Sequence, residues 1–264
     1  MICAGIDAGS RTIKVVLLDA QRQQAVASGV MDQGVDQEAL AQRLLDSLLK
    51  DHAIARRDVR RIVATGYGRK LIHQADETIT EITCQGWGVR HCKPDARTVI
   101  DIGGQDSKLL RLDARGTVHD FVMNDRCAAG TGRFLEVVAT RLGVKLESLG
   151  EMAGRSEQPS LISSMCVVFA ETEIVGLLAS GMKSEDIVAG VQAAIASRIS
   201  AMAGREVTPP VVFTGGVALV PGMDVALSSL LGGPISIAPE PQTTAALGAA
   251  ILSPPESEET THYS

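Results

Sequence analysis

The sequence has few aromatic residues and lacks the long apolar or basic stretches that mark several classes of protein. Aromatic residues make up 3% of the 264 residues, and Trp87 is the sole tryptophan. No apolar run approaches the roughly 20 residues that a membrane-spanning helix requires. The net charge is −6, and neither a basic stripe nor an aromatic platform for stacking bases is present. We therefore expect a protein that binds neither membranes nor nucleic acids.

Cysteine occurs in no pattern typical of a disulfide framework. The five cysteines are an odd number in a chain of this length, and the N-terminus enters an apolar strand without a basic leader, so we expect a cytoplasmic protein with reduced thiols. A C-x-x-C-x-x-C run, histidines at metal-ligand spacing and the phosphate-loop motif G-x-x-x-x-G-K-[ST] are all missing. A Walker-type nucleotide site is thereby excluded, and no local cysteine run supplies the four ligands of an iron–sulfur cluster.

One pattern of strand, glycine-containing turn and strand spans residues 2–19 and returns 94 residues later. The matched positions are Ile6, Asp7, Gly9, Lys14, Leu18 and Asp19 in the first copy and Ile100, Asp101, Gly103, Lys108, Leu112 and Asp113 in the second. An internal duplication is the simplest explanation.

Each copy places a carboxylate, Asp7 or Asp101, at the end of a predicted buried strand and follows it with a turn of small residues. The N–H groups of such a turn approach an anion closely, and carboxylates bind Mg²⁺, commonly through water. We therefore predict a cleft in which Asp7 and Asp101 face each other across a nucleotide and Mg²⁺. Two ordinary β-hairpins are the alternative, because a D-x-G turn is common on its own.

Two of the cysteines, Cys127 and Cys166, each precede a predicted helix. Apolar residues recur at helical spacing after Gly132, and after Cys166 a second helix is expected to end near Gly181. Helix starts favour negative charge, which suits thiolate ligands of a metal or cluster. A [4Fe-4S] cluster usually has four cysteine ligands, which a two-fold homodimer would supply. From spacing alone we favour the alternative, in which both side chains are small buried hydrophobes, the commonest state of a free cysteine.

The remaining patterns predict an α/β fold with further helices and strands. We expect helices at 37–51, 81–94, 146–152, 184–203 and 243–252 and strands at 59–64, 209–216 and 234–238. The double glycine Gly215-Gly216 at the end of a strand lets backbone lie against a base or ribose. Residues 253–264 are expected to be disordered.

Four motifs in this order resemble the actin, hexokinase and sugar-kinase ATPase superfamily. They are residues 7–10 (DAGS), 101–106 (DIGGQD), 214–217 (TGGV) and 246–250 (ALGAA). The resemblance implies a two-lobed α/β ATPase fold with duplicated ribonuclease-H-like domains. It places the N-terminal lobe at 1–96, completed by helix 243–252, and the C-terminal lobe at 97–242.

The cysteine motifs, residues 124–136 (NDRCAAGTGRFLE) and 164–173 (SMCVVFAETE), narrow the resemblance. They are similar to the activators of 2-hydroxyacyl-CoA dehydratases and to the related ATPase subunits of benzoyl-CoA reductases, and the likeness covers residues 2–252. It implies a homodimer with one [4Fe-4S] cluster held by Cys127 and Cys166 of both copies. ATP hydrolysis would drive one low-potential electron into a dehydratase or acyl-CoA reductase component, with a ferredoxin- or flavodoxin-type protein as electron donor.

The resemblance also implies a role for each candidate site residue. Asp7 and Asp101 would bind Mg²⁺ or the attacking water, and Gln105 would act with them at the γ-phosphate. The residues expected to bind the nucleotide are Gly9, Ser10, Thr12 and Lys14 at the phosphates, Gly103 and Gly104 at the γ-phosphate, and Gly215, Gly216 and Gln242 at the adenosine.

Other functions share this fold and stay open. The chain departs from the activators at residues 85–87 (QGW), where they tend to carry a histidine, so the choice of partner is undecided. A component of a benzoyl-CoA reductase-type enzyme is one alternative. A sugar or small-molecule kinase, with Asp101 as base for a substrate hydroxyl, and a non-catalytic nucleotide sensor are two others. The kinase would leave Cys127 and Cys166 without a role.

Overall fold

A computed structural model describes residues 1–163, 166–204 and 207–253. The chain divides into two compact units, one formed by Met1–His91 with the stretch from Thr243 onward and the other by Cys92–Gln242. That each unit is a domain in its own right stays a prediction. Except for Ser253, the tail expected to be disordered lies outside the described residues. No described helix has both the length and the apolar character needed to cross a membrane.

The first unit is built on a five-stranded sheet of order β3-β2-β1-β4-β5. Its strands are β1 Ile2–Ala8, β2 Thr12–Asp19, β3 Gln24–Asp32, β4 Val59–Thr65 and β5 Glu77–Thr78, and its helices are α1 Gln37–Asp51, α2 Glu81–Cys92 and α8 Thr244–Ile251. The central strand β1 pairs antiparallel with β2 and parallel with β4. Helix α1 begins where the Asp36 side chain accepts a hydrogen bond from Ala39 N, and it buries Leu44, Leu45, Leu48 and Leu49.

The second unit repeats this plan and adds a long helical segment. Its strands are β6 Thr98–Ile102, β7 Ser107–Leu112, β8 Val118–Asn124, β9 Val211–Thr214 and β10 Ile235–Ile237. Its helices are α3 Gly132–Leu142, α4 Leu149–Gly154, α5 Val167–Ala179, α6 Ser184–Ala203 and α7 Met223–Leu231. Read from β8, the strand order is β8-β7-β6-β9-β10, the same arrangement as in the first unit.

The residue pairing confirms the predicted duplication. Asp7 lies opposite Lys14 in the β1–β2 pair, and Asp101 lies opposite Lys108 in the β6–β7 pair. The likeness also reaches the parallel neighbour, where Thr65 of β4 pairs with Asp7 and Thr214 of β9 pairs with Asp101. Each threonine is followed by a glycine with positive φ, 88° at Gly66 and 86° at Gly215.

Several predicted boundaries need correction. The segment predicted as a helix over 146–152 is a 3-10 turn, Leu146–Ser148, followed by α4, because the tighter turn is a common way to begin a helix. The predicted strand 209–216 is confined to β9, since prolines without N–H groups precede it. The edge strands β3 and β8 were not predicted, because their side chains are mostly exposed and carry little apolar periodicity.

Candidate functional site

In the turn after β1, here called turn 1 (Ala8–Arg11), three carbonyl groups accept hydrogen bonds from other parts of the first unit. Gly68 N donates to Ala8 O over 2.8 Å, and Gln33 Nε2 donates to Gly9 O over 2.7 Å. Gln33 N donates to Arg11 O over 2.9 Å. With these oxygens engaged in the protein, the turn does not present them to an anion. Such a turn suits a phosphate group.

Gly9 is required at turn 1 because a side chain has no room there. A Cβ on Gly9 would lie 2.7 Å from Lys14 Nζ and 2.9 Å from Thr12 O. Gly9 N donates to Thr12 O over 3.1 Å, which closes the turn. Ser10 and Thr12 are half-buried beside it. The structure therefore brings the four predicted phosphate-binding residues Gly9, Ser10, Thr12 and Lys14 together.

Asp7 is a buried carboxylate with one oxygen engaged and one available. Lys14 Nζ donates to Asp7 Oδ2 over 2.9 Å, a pairing that the sequence analysis did not anticipate. Asp7 is 3% exposed, and among the described residues its Oδ1 has no hydrogen-bond partner. A buried carboxylate oxygen without a partner carries a desolvation cost that a cation or a bound water would remove.

Asp101, the counterpart of Asp7, is engaged on both oxygens. Lys108 Nζ lies 3.3 Å from its Oδ2 and 2.7 Å from Asp106 Oδ2. Thr214 Oγ1 donates to Asp101 Oδ1 over 3.0 Å. Because Lys108 is almost fully buried, its charge is balanced inside the unit by the two carboxylates. The two copies of the duplicated pattern thus differ in how tightly their carboxylates are held.

In the second turn, here called turn 2 (Gly103–Asp106), two carbonyl groups accept hydrogen bonds from the start of α3. Gly132 N donates to Gly103 O over 2.9 Å, and Arg133 N donates to Gly104 O over 2.8 Å. Gly103 N donates to Asp106 O over 2.9 Å, and Gln105 is exposed in the turn. Gly103, Gly104 and Gln105 therefore form one surface turn whose glycine carbonyls are occupied.

The residues predicted at adenosine also lie together. Gly215 N donates to Pro241 O over 2.8 Å. A Cβ on Gly216 would lie 3.1 Å from Gln242 Nε2, so this glycine lets the Gln242 amide approach the backbone. The set follows β9, the strand that carries Thr214 beside Asp101.

Cys127 is fixed through its backbone by a single side chain. Asn124 at the end of β8 donates from Nδ2 to Cys127 O over 2.7 Å and accepts from Cys127 N at its Oδ1 over 3.1 Å. The 3-10 turn Ala128–Gly130 follows, and Thr131 then caps α3 by accepting from Arg133 N. Cys127 is half-buried against the apolar core of this unit.

Cys166 is exposed and occupies the cap position at the start of α5. Ser164 and Met165, directly before it, lie outside the described residues. Next to Cys166, Val168 and Phe169 are 67% and 69% exposed. Helices α3 and α5 pack on each other, share apolar core residues, and are linked by an ion pair between Arg141 and Glu171. Both cysteines therefore precede helices of one packed pair.

The other thiols differ from these two. Burial raises the pKa of Cys84 to about 11 and also raises the pKa of Cys92. Cys3 is buried in β1. Across the described parts of this one chain, no three His, Cys, Asp or Glu side chains are grouped so as to hold a metal ion. Cys127 and Cys166 are two thiols, and a four-thiol cluster would need a second copy of the chain.

Sequence reasoning missed residues that support the candidate site. Thr65 and Gly66 repeat the Thr214-Gly215 pair, and a T-G dipeptide at the end of a buried strand in each half was the signal that could have revealed this repeat. Gln33 and Asn124 act through side-chain contacts to backbone, which no spacing rule indicates. Asp7 belongs to the first unit and Asp101 to the second, so their facing each other across a nucleotide stays a prediction.

Comparisons with known proteins agree with this geometry. The activator of lactoyl-CoA dehydratase from Anaerotignum propionicum is 42% identical over 252 residues, which cover 95% of this chain and 96% of that protein. One of the subunits of benzoyl-CoA reductase from Thauera aromatica is 29% identical over 229 residues, covering 84% of this chain and 80% of that protein.

A solved structure, that of the activator of the 2-hydroxyisocaproyl-CoA dehydratase from Clostridium difficile with bound ADPNP, has the same fold. It superposes with a TM-score of 0.91 at 41% identity and covers 95% of this chain and 93% of that one. This likeness confirms the predicted fold class. The model of the BadF/BadG/BcrA/BcrD ATPase family matches residues 4–253, and the chain belongs to that family.

Proposed function

We propose that this protein is an ATP-dependent one-electron donor to a 2-hydroxyacyl-CoA dehydratase. The observation that carries the proposal lies in the second unit. There, the start of a helix that follows a cysteine is hydrogen-bonded to a turn of the phosphate-binding type. Gly132 and Arg133 of α3 bind turn 2, and Cys127 lies five residues before Gly132. ATP chemistry and a cluster ligand would therefore share one structural element.

Nucleotide binding is supported by both turns. Their carbonyls are held by other parts of the protein, so an arriving triphosphate would meet backbone N–H groups and the side chains of Ser10 and Thr12 rather than oxygens. The relative solved from Clostridium difficile has ADPNP bound. Gln105, exposed in turn 2, would orient the water that attacks the γ-phosphate.

Asp7 fits the role of a Mg²⁺ ligand. Its Oδ1 is buried without a hydrogen-bond partner among the described residues, whereas both oxygens of Asp101 already accept hydrogen bonds. Mg²⁺ usually keeps several of its waters and is bound through one or two carboxylates with the substrate phosphates. We assign the closer contact with a metal-bound water to Asp7 and a supporting charge to Asp101. Mg²⁺ would neutralise charge on the phosphates during hydrolysis.

Cys127 and Cys166 fit a cluster shared by two copies. Both precede helices, and Cys166 is exposed beside Val168 and Phe169, which gives a second chain an apolar surface to cover. Two thiols from each of two copies would complete the four ligands of one [4Fe-4S] cluster. When bound, the cluster would supply one electron at low potential. Asn124 holds the Cys127 backbone in place for this ligation.

The partner is proposed from the relatives. The relative from Anaerotignum propionicum, at 42% identity, is named as a dehydratase activator, which favours a dehydratase as partner of this chain. The relative from Thauera aromatica, at 29%, keeps an acyl-CoA reductase component as the second candidate. We propose a ferredoxin- or flavodoxin-type protein as the source of the electron, and action in the cytoplasm without nucleic acid or membrane partners.

Anaerobic purification tests the proposal, with iron, acid-labile sulfide and solution mass measured on one sample. We expect about four irons per dimer. ATP hydrolysis is measured on the same sample with and without Mg²⁺. An iron-free monomer after reconstitution would overturn the cluster, and phosphoryl transfer to a sugar would replace the proposal with the kinase function.

A further inference from the structure

Turn 2 and the segment around Cys127 are joined twice by hydrogen bonds. The first junction consists of the bonds from Gly132 N to Gly103 O at 2.9 Å and from Arg133 N to Gly104 O at 2.8 Å. Both donors belong to the first turn of α3, whose N–H groups have no partners within the helix. The glycine carbonyls of turn 2 therefore accept hydrogen bonds at the start of α3, alongside the Thr131 side chain.

The second junction runs through the sheet. Strand β7 starts at Ser107, directly after turn 2, and Ser107 pairs with Asn124 at the end of β8. Asn124 then binds both the N–H and the carbonyl of Cys127. Turn 2, β7, β8, Asn124, Cys127 and the start of α3 form a closed ring of covalent and hydrogen bonds, and the whole ring lies within the second unit.

We propose that Asn124 and Gly132 are positioning residues that transmit the nucleotide state of turn 2 to the backbone of Cys127. The proposal rests on the function proposed above, since it takes turn 2 as the γ-phosphate site. When the carbonyls of Gly103 and Gly104 shift, the start of α3 shifts with them. Because Asn124 anchors the other side of Cys127, the displacement is concentrated in the short segment between Asn124 and Gly132.

A proline substitution at Gly132 would break the first junction. It is the first residue of α3, where proline is accepted because the position needs no N–H within the helix. Thr131 before it has φ −136° and ψ 170°, the extended conformation that a following proline requires. Gly132→Pro suits the backbone angles on the helix side, removes the N–H that binds Gly103 O, and places the proline Cδ where that hydrogen was, so the Gly103 carbonyl must also move away.

Gly132→Ala is the matched control for the proline variant. Both substitutions add a Cβ, which would lie 3.1 Å from Gly103 O and 3.3 Å from Val217 Cγ2. The alanine variant keeps the N–H, so the difference between the two variants reports the broken junction, that is, the lost hydrogen bond together with the displaced Gly103 carbonyl. Asn124→Ala breaks the second junction independently, which keeps the test decisive if the proline variant does not fold.

The test is the alkylation rate of Cys127 by iodoacetamide at pH 8 in the full-length, iron-free chain, followed by mass spectrometry with Mg²⁺-ADPNP and with Mg²⁺-ADP. Cys92, a half-buried thiol outside the candidate site, serves as the internal reference in every sample. Binding of both nucleotides is measured separately by calorimetry. For the reconstituted protein, the nucleotide-dependent change in cluster midpoint potential is the second readout.

We expect wild type and Gly132→Ala to show at least about a threefold difference in the Cys127 rate between the two nucleotides. In Gly132→Pro and Asn124→Ala this difference should vanish while both nucleotides still bind. Equal rates in a wild-type protein that binds both nucleotides would overturn this inference and leave the proposed function standing, as would full retention of the difference in the two variants. Absence of nucleotide binding in the wild type would overturn the proposed function itself.

Discussion

At the scale of single residues, the two halves of the duplication have diverged at their carboxylates. Asp7 keeps a buried oxygen without a partner among the described residues, whereas Thr214 and Lys108 occupy both oxygens of Asp101. The hydroxyl of Thr65, the counterpart of Thr214, makes no hydrogen bond to Asp7 in the structure. The two residues therefore differ in what they offer an incoming ligand.

Asp7→Asn is expected to lower the rate of Mg²⁺-dependent ATP hydrolysis on the order of 100-fold. The reason is that Mg²⁺ stabilises the transition state by several kcal/mol, and a weaker hold on Mg²⁺ would reduce this stabilisation. Nucleotide affinity without Mg²⁺ should change little. Steady-state hydrolysis and calorimetry measure the two effects. Asp19→Asn, at the opposite end of the β1–β2 pair, is the control, and undiminished hydrolysis in Asp7→Asn would refute the assignment.

Cys127→Ser and Cys166→Ser are each expected to abolish the cluster and spare nucleotide binding, because each removes two of the four proposed ligands per dimer. Iron and sulfide analysis after anaerobic reconstitution measures the loss, and calorimetry with ADPNP should give an affinity within about twofold of wild type. Cys92→Ser is the matched control, since this thiol has a pKa raised by burial. A full iron content in either ligand variant would disprove the assignment.

At the scale of secondary-structure elements, the sequence predicted what depends on short-range patterns. The leucine periodicity of α1 and the apolar face of α6 placed these helices correctly. Turns 1 and 2 were predicted because glycine and aspartate mark such turns directly. The edge strands β3 and β8 and the split at Leu146–Leu149 were missed, because pairing and core packing decide them.

The contacts that hold the candidate site were beyond sequence reasoning for the same reason. Gln33 and Asn124 are polar residues at the ends of strands, a common position that carries no signal for a bond to Gly9 O or to the Cys127 backbone. Their roles depend on which segments meet in three dimensions. The cysteines themselves were predicted from the family resemblance, since spacing alone favoured ordinary buried thiols.

The start of α6 is expected to make stability depend on acid pH through Asp186. Ser156 Oγ donates to its Oδ1 over 2.7 Å, and the N–H groups of Gln158 and Glu157 donate as well, which lowers the pKa of Asp186 below its usual 3.8. A lowered pKa in the folded state stabilises the protein above about pH 4, and this contribution is lost as the pH falls through the folded-state value.

Asp186→Asn should therefore have a lower melting temperature than wild type at pH 7. The difference should hold from pH 5 to about pH 4 and shrink as the pH is lowered further toward the folded-state pKa, as measured by thermal unfolding followed by circular dichroism from pH 5 to about pH 2.5. Glu185→Gln, which neutralises the adjacent and more exposed carboxylate, is the control. A difference in melting temperature that stays constant across this range would contradict the prediction.

At the scale of the whole molecule, the family assignment confirms that the chain is an ATPase and leaves the assembly to be established. The exposed face of α5 holds Val168, Phe169 and Val175. These apolar side chains continue from Cys166 along one helix, so the proposed cluster and the proposed contact between copies would share a single surface.

Phe169→Glu is expected to weaken self-association at least about tenfold, because a charge would have to be buried in the contact. Analytical ultracentrifugation of the iron-free chain gives the dimer dissociation constant. Val225→Glu, on the exposed face of α7 and 66% exposed, is the control. A Phe169→Glu protein that dimerises like wild type would place the contact elsewhere.

Two topologically equivalent connections, β3 to β4 and β8 to β9, differ greatly in length. The first unit joins β3 to β4 through residues 33–58, which contain α1, whereas the second joins β8 to β9 through residues 125–210, which contain both motif cysteines and helices α3 to α6. The long segment of the second unit thus stands at the same topological position as the short crossover of the first. Under the proposed function, the cluster ligands would be confined to this one connection, and a chain with a short connection in both units would keep the phosphate turns and lack those ligands.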